Sequence, residues 1–195
     1  MKLNDKEATI KRLINVADNL KPEIKSFFIS YPYYLQYFKD LPGGEIKIEN
    51  VIIGISFTYS WMPTILKNIN IKNESKILLI LNKAKKGDDL NDDDLEPLKT
   101  AFNNSLVGTS KLLHFINPEK FAIWDSRVFR NLYKEEPHKY KLEKPDSYLK
   151  YLEYLNELKE EFGFTDFKRI MEEKVGYSIS DLRALELGFY HNQVK

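Results

Sequence analysis

The chain has 195 residues, 43% of them hydrophobic and 30% charged, and its 30 Lys plus Arg against 29 Asp plus Glu leave a formal net charge of +1. That size and balance fit one folded domain or two small lobes sharing a core. They exclude wholesale disorder and the global basic field of a nucleic-acid coat protein, so any nucleic-acid surface must be a local patch. With no cysteine in the chain, disulfides, thiolate zinc sites, iron–sulfur clusters and a cysteine nucleophile are ruled out together. His114, His138 and His191 are too scattered to suggest an imidazole metal cluster, and no metal or cofactor is expected. No stretch reaches the roughly 18 apolar residues of a membrane span, and the opening residues lack the apolar run of a signal peptide. A cytoplasmic protein without a membrane partner is therefore expected.

Helical periods dominate from the start. In residues 5–20 the apolar positions Ile10, Leu13, Ile14 and Ala17 recur at steps of three and four, and Pro22 stands where a further helix can begin. Phe27, Phe28, Tyr31, Tyr34, Leu35 and Phe38 mark an aromatic-rich helical stretch in which Pro32 is expected as an interruption, and Leu41-Pro42-Gly43-Gly44 is a plain break. Residues 46–66 mix β-branched and aromatic residues, yet their length and their lack of an internal turn signal predict helix, with Pro63 near its end. Residues 75–86 predict an amphipathic helix closed by Gly87, and the acidic run 88–96 predicts a loop and a helix start. The run reads first as a solvated face.

A short helix over 95–102, a tight turn over 103–108 and a helix over 109–116 capped by Thr109 or Ser110 come next. After the connector at Asn117-Pro118, Asp125 is predicted as the N-cap of a helix carrying Val128, Phe129 and Leu132. Residues 134–145 predict an exposed charged loop, and residues 146–162, 165–174 and 178–191 three further helices, the last capped by Ser178 or Ser180. The fold class is all-α.

Most catalytic signatures are absent: there is no phosphate-binding Gly-Lys loop, no two-glycine dinucleotide fingerprint, no His-Glu-x-x-His pair and no serine nucleophile elbow. One segment stands out. It runs from Ser105-Leu106-Val107-Gly108-Thr109-Ser110-Lys111 through Pro118-Glu119-Lys120-Phe121-Ala122-Ile123-Trp124 to Asp125-Ser126-Arg127-Val128-Phe129-Arg130. Two helices joined at a glycine-bearing turn present backbone N–H groups that can hold a phosphate without side-chain charge.

The combination resembles the helix-hairpin-helix DNA glycosylases, in which an essential Asp opens an Asp-Thr/Ser-His/Arg-Val-x-Arg pattern. Asp125 to Arg130 matches that pattern almost residue for residue, and the resemblance as a whole covers roughly thirty residues closely. Ser105 and Leu106 stand where that family has Pro and its first Gly. Ser110 stands where lyase-competent members carry their lysine, and Lys111 lies one residue further. Lacking cysteine, the chain resembles the cluster-free members, which include enzymes acting on 8-oxoguanine and alkylated bases.

The resemblance implies a two-lobed helical fold with the helix-hairpin-helix motif near residues 95–117. The lobes are residues 46–117, and 1–45 together with 118–195. It implies a DNA N-glycosylase of base-excision repair, a hydrolase whose partner is double-stranded DNA carrying a modified base. Asp125 would stabilise the sugar cation or orient the nucleophile, and Lys111 would give lyase activity. Val107, Gly108, Thr109, Ser110 and Arg127 would touch DNA, and Trp61, His114 and Phe189 would line a base pocket. The alternatives are a non-catalytic helical DNA- or protein-binding module that keeps the hairpin, with Asp125 only a cap, and a helical adaptor using the aromatic surface between Tyr31 and Phe38.

Overall fold

The computed structural model describes residues 5–21 and 26–192, and Pro22, the expected start of a helix, lies outside them. The described residues form eleven α-helices and no strand, with one isolated antiparallel bridge between Ile69 and Phe102. They are α1 (Lys6–Asn19), α2 (Ser26–Lys39), α3 (Ile48–Ser60), α4 (Glu74–Lys86), α5 (Asp92–Ala101), α6 (Leu106–Ile116), α7 (Ser126–Tyr133), α8 (Lys139–Leu142), α9 (Pro145–Leu158), α10 (Phe164–Val175) and α11 (Asp181–His191). The all-α expectation holds. Among the described residues no helix is long and apolar enough to cross a membrane.

The caps follow the residue chemistry. Asp5 opens α1, its Oδ1 accepting from the N–H groups of Glu7 and Ala8 at 3.1 and 3.4 Å. Ile10, Leu13 and Ala17 form its buried stripe. Gly87 closes α4 in the left-handed region at φ 87°, where a side chain would be strained. The acidic run 88–96 supplies the start of α5, on which Asn91 and Asp94 cap each other reciprocally.

Three boundaries differ from expectation. Pro32 does not interrupt α2: the helix forgoes one backbone bond there and continues through it. It is held by the buried Tyr31 and Phe38 and by Tyr34 stacked on Phe57 at 4.3 Å. The helix expected over 46–66 ends at Ser60, because Pro63 disfavours helical dihedrals in the residue before it. The next residues run as a strap along the turn at Phe102, where the Lys67 and Asn68 N–H groups donate to Asn103 Oδ1 at 2.8 and 2.7 Å. The third is the turn before α6. It closes at Ser105, through the left-handed Asn103 and Asn104, so the expected caps Thr109 and Ser110 lie inside the helix.

Two helices are buried almost all round, which marks the centre of a packing unit. α6 touches α2, α3, α4 and α5, whereas α11 touches α1, α7, α9 and α10. The buried polar side chains of these runs are few: Thr109, Ser110, Lys111 and His114 in the first, Arg183 and Glu186 in the second. α2 packs with α3 and α6, and its Tyr31 also meets the C-terminal part of the chain, stacked on Tyr177 at 6.0 Å and lying 4.7 Å under the Arg183 guanidinium of α11.

Candidate active site

Residues 121–124 carry the chain from one packing unit to the other as a buried, non-helical stretch. A buried backbone outside a helix must find partners for its polar groups elsewhere, and here side chains supply them one after another. His114 bonds the Phe121 carbonyl at 2.6 Å, the Tyr148 hydroxyl donates to the Ala122 carbonyl at 3.0 Å, and the Tyr151 hydroxyl donates to the Ile123 carbonyl at 3.2 Å. The Trp124 N–H donates to Ser110 Oγ at 3.0 Å. Two of these anchors, Ser110 and His114, flank Lys111 on α6, so the helix that carries the lysine also fixes where Asp125 emerges.

Asp125 caps α7. Its Oδ1 accepts from the N–H groups of both Arg127 and Val128 at 2.9 Å, which leaves Oδ2 outside the cap. Asp125 and Lys111 line one cavity of about 70 Å³, room for several waters at about 10–15 Å³ each. Phe27, Trp61 and Tyr190 supply aromatic wall, and Arg183 and Glu186 on α11 complete the polar lining. The four charged groups balance, two of each sign.

Lys111 is only 9% exposed, and among the described residues its amine makes no hydrogen bond or salt bridge. Burial lowers its pKa, against the pull of the Asp125 and Glu186 carboxylates, while Arg183 lowers it further. Glu186 lies 2% exposed, paired with Arg183 through Oε2. Burial pushes its pKa up to about 7, with Arg183 opposing, Asp125 adding to the rise and Lys111 opposing. The Arg183 guanidinium lies 4.7 Å over the Tyr31 ring and 5.7 Å from that of Trp61, where cation–π attraction replaces part of its lost hydration.

The expected pocket residues separate. Trp61 lines the cavity and donates from Nε1 to Ser30 Oγ at 2.8 Å. His114 does not reach it: the imidazole is fully buried behind Tyr31, whose hydroxyl lies 2.9 Å from His114 Nε2. Burial, with help from Arg183 and against the Phe121 carbonyl bond, drives its pKa down to about 3. The ring is therefore neutral and donates from Nδ1 while accepting from Tyr31. Phe189 is wholly buried, and its neighbour Tyr190 faces the cavity instead.

The expected DNA contacts separate too. Gly108 is not in a turn; it sits in the first turn of α6 against Tyr59, where a Cβ would lie 2.9 Å from the phenol oxygen. Thr109 and Ser110 are fully buried, so neither side chain faces an outside partner, and Val107 is half-buried. The start of α6 is capped from within: Gly108 N–H donates to Ser105 Oγ at 3.2 Å, and Leu106 N–H donates to a Glu143 carboxylate oxygen. A carboxylate already occupies the place expected for a phosphate. Arg127 is exposed, its guanidinium 4.7 Å over the Tyr190 ring at the cavity edge.

Much of the surrounding positive charge is locally paired. Lys120 meets Asp89 at 2.7 Å, Arg130 meets Glu136 at 3.1 Å and Lys141 meets Glu135 at 2.6 Å. The loop expected over 134–145 contains the short α8. Of the aromatic surface expected between Tyr31 and Phe38, Tyr31 and Phe38 are buried and Tyr33 is the ring that stands well exposed.

Sequence reasoning passed over Arg183, Glu186, Phe27 and the two anchoring tyrosines Tyr148 and Tyr151. Two opposite charges three residues apart inside the apolar run Leu182 to Phe189 were the available signal, because such a run is buried and a buried charge needs a reason.

No family model, curated protein or solved structure matches this chain.

Proposed function

We propose that the protein is a DNA glycosylase-like enzyme that excises a modified or damaged base, using the Lys111 amine and the Asp125 carboxylate at the cavity between the two helix units. The observation that carries this reading is their convergence. Fourteen residues apart in sequence and on different helical units, they line one small cavity with aromatic walls.

The chemistry fits the groups. A base must leave the stack before an enzyme can act on it, at a cost of a few kcal/mol, and aromatic side chains can hold it once it is out. Phe27, Trp61 and Tyr190 offer such surfaces. As the glycosidic bond breaks, positive charge develops on the sugar, and Asp125 Oδ2 stabilises it at short range. An amine is a nucleophile only when unprotonated, and the burial that lowers the Lys111 pKa enlarges that fraction. Attack at the sugar carbon gives a Schiff base, from which strand cleavage follows. The register of Lys111, one residue past the family position, is a departure in sequence that its cavity position compensates.

The phosphate contact is assigned away from the start of α6, which Glu143 and Ser105 already cap, and toward exposed cations beside the cavity such as Arg127. The test is incubation with duplexes each carrying one modified base, followed by alkali, and in parallel borohydride trapping. Excision of at least one base with a trapped covalent adduct is expected, lost in Lys111→Gln. Duplex binding without excision of any base would put the non-catalytic module ahead. Binding that ignores salt concentration would exclude a phosphate grip altogether.

A further inference from the structure

Imine formation needs more than an amine. After the amine adds to a carbonyl carbon, the carbinolamine hydroxyl must leave as water, and near neutral pH that step is slow unless an acid delivers a proton to it. Asp125 already spends Oδ1 on two backbone N–H groups of α7. Glu186 has no such cap. Its Oε2 meets Arg183, and its Oε1 takes no hydrogen bond from the described residues. It lines the same cavity as Lys111.

We propose that Glu186 is the proton donor for condensation at Lys111, so that the cavity captures aldehydes by acid-assisted imine formation. This rests on the reading of Lys111 as an amine nucleophile. The balance is simple. The neutral amine adds to the aldehyde carbon and gives a carbinolamine. The Glu186 carboxyl gives its proton to the hydroxyl, the C–O bond breaks, water leaves, and the nitrogen lone pair closes the C=N bond. An aldehyde, an amine and a carboxylic acid become an iminium cation, a water and a carboxylate, with charge conserved. The new carboxylate then stands beside the new cation, in a cavity where opposite charges attract more strongly than in water.

Burial keeps the acid protonated up to about neutral pH, against the pull of two nearby cations. Arg183 faces Glu186 from its own helix, Lys111 from α6 and Asp125 from the start of α7. Tyr151 on α9, Tyr31 on α2 and Tyr177 between α10 and α11 complete the titratable groups coupled to it. Burial is the largest influence and sets its pKa near 7, within the span in which a general acid serves at neutral pH. Arg183 orients the carboxyl by holding one oxygen, leaving the other for the cavity.

The test uses the intact protein and no DNA: glycolaldehyde with cyanoborohydride, modification at Lys111 followed by peptide mass mapping between pH 5 and 9. Labelling of Lys111 faster than of exposed lysines is expected, with a rate that falls above neutrality as Glu186 loses its proton. Glu186→Gln should slow it by about 10²-fold, and Glu186→Asp should recover part of the rate. Because Glu186→Gln leaves Arg183 without a carboxylate partner at every pH, Arg183→Met/Glu186→Gln, which also removes the buried cation, is run beside it and should show the same loss. Labelling of Lys111 at the parent rate in either folded variant, or no preference for Lys111 in the parent, overturns the proposal. A duplex with a preformed abasic site and borohydride separates the two readings. Glu186-dependent aldehyde labelling without duplex trapping leaves the proton donor standing and removes the DNA reading. Duplex trapping that ignores Glu186 does the reverse.

Discussion

The starts of α6 and α7 look alike in sequence: each follows a non-helical connector, and each opens with a small or acidic cap, Ser105 in one and Asp125 in the other. Their surroundings make them opposites. At α6 the first turn is sealed, with Tyr59 against Gly108 and the Glu143 carboxylate on the Leu106 N–H. At α7 one carboxylate oxygen caps two N–H groups and the residue still borders a cavity that holds Lys111. Exposed N–H groups at a helix start attract an anion only if the fold has not already supplied one. The same local motif is thus sealed in one place and left at the border of a cavity in the other.

The largest expected effect breaks or upholds the α7 half of that contrast. Asp125→Asn keeps the size and most of the cap, so its cost in thermal or urea unfolding should stay within about 1 kcal/mol. Excision should fall by about 10³-fold or more, the scale on which a lost transition-state charge is felt. Full excision by the Asn protein would refute the assignment and make α7 a second scaffold start.

The cavity below α7 has a pH signature that the sealed start lacks. Glu186 holds its proton up to about pH 7 in the fold against 4.5 when unfolded, so its contribution to stability is present below 4.5 and is lost as pH rises through 7. His114 runs the other way, present above 6.5 and lost as pH falls through 3. Between pH 4.5 and 6.5 the two trends oppose each other. In Glu186→Gln the histidine trend stands alone, and the melting temperature should drop more steeply on acidification than in the parent, by an amount equivalent to about 3 kcal/mol across the window. Parallel curves for the two proteins would show that Glu186 is not a buried acid.

Gly108→Ala tests the α6 half. Helix propensity favours alanine by about 1 kcal/mol, but its methyl would meet the Tyr59 hydroxyl oxygen at 2.9 Å and the ring at 3.0–3.2 Å. A net loss of about 1–2 kcal/mol in urea unfolding is expected, with duplex binding unchanged once folded protein is compared. The opposite pattern, normal stability with lost binding, would return Gly108 to a binding role. The smallest effect belongs to Glu143→Gln, which weakens one charge-assisted cap and should cost about 1 kcal/mol. Excision and its salt dependence should not change. If duplex affinity rises sharply, the carboxylate had been masking a phosphate site.

Helix existence was legible from periodicity because burial on one face leaves a three- and four-residue repeat, as at Ile10, Leu13 and Ala17. The cap at Asp125 and the stop at Gly87 were legible because single residues suffice for them. Boundaries were less so. Pro32 inside α2 is tolerated because the aromatic packing around it outweighs one missing backbone bond, and no local signal carries that balance. Gly108 looked like a turn residue because glycine permits turns, and only the position of Tyr59, 49 residues earlier in the chain, shows that space rather than dihedral freedom is what it provides.

The sequence by itself determined an all-helical chain, the cap that starts α7, and two residues, Lys111 and Asp125, whose types suit amine and carboxylate chemistry. Tertiary structure decided that they share a cavity, because Ser110 and His114 clamp the connector that carries Asp125. It also decided that Glu186 and Arg183 join them, that Tyr190 rather than Phe189 faces the cavity, and that Thr109 and Ser110 are interior. The reason is physical. Propensity, capping and amphipathic periods act between neighbours in the chain, whereas a site is made of groups brought together by burial, and burial is settled only when distant helices close on one another.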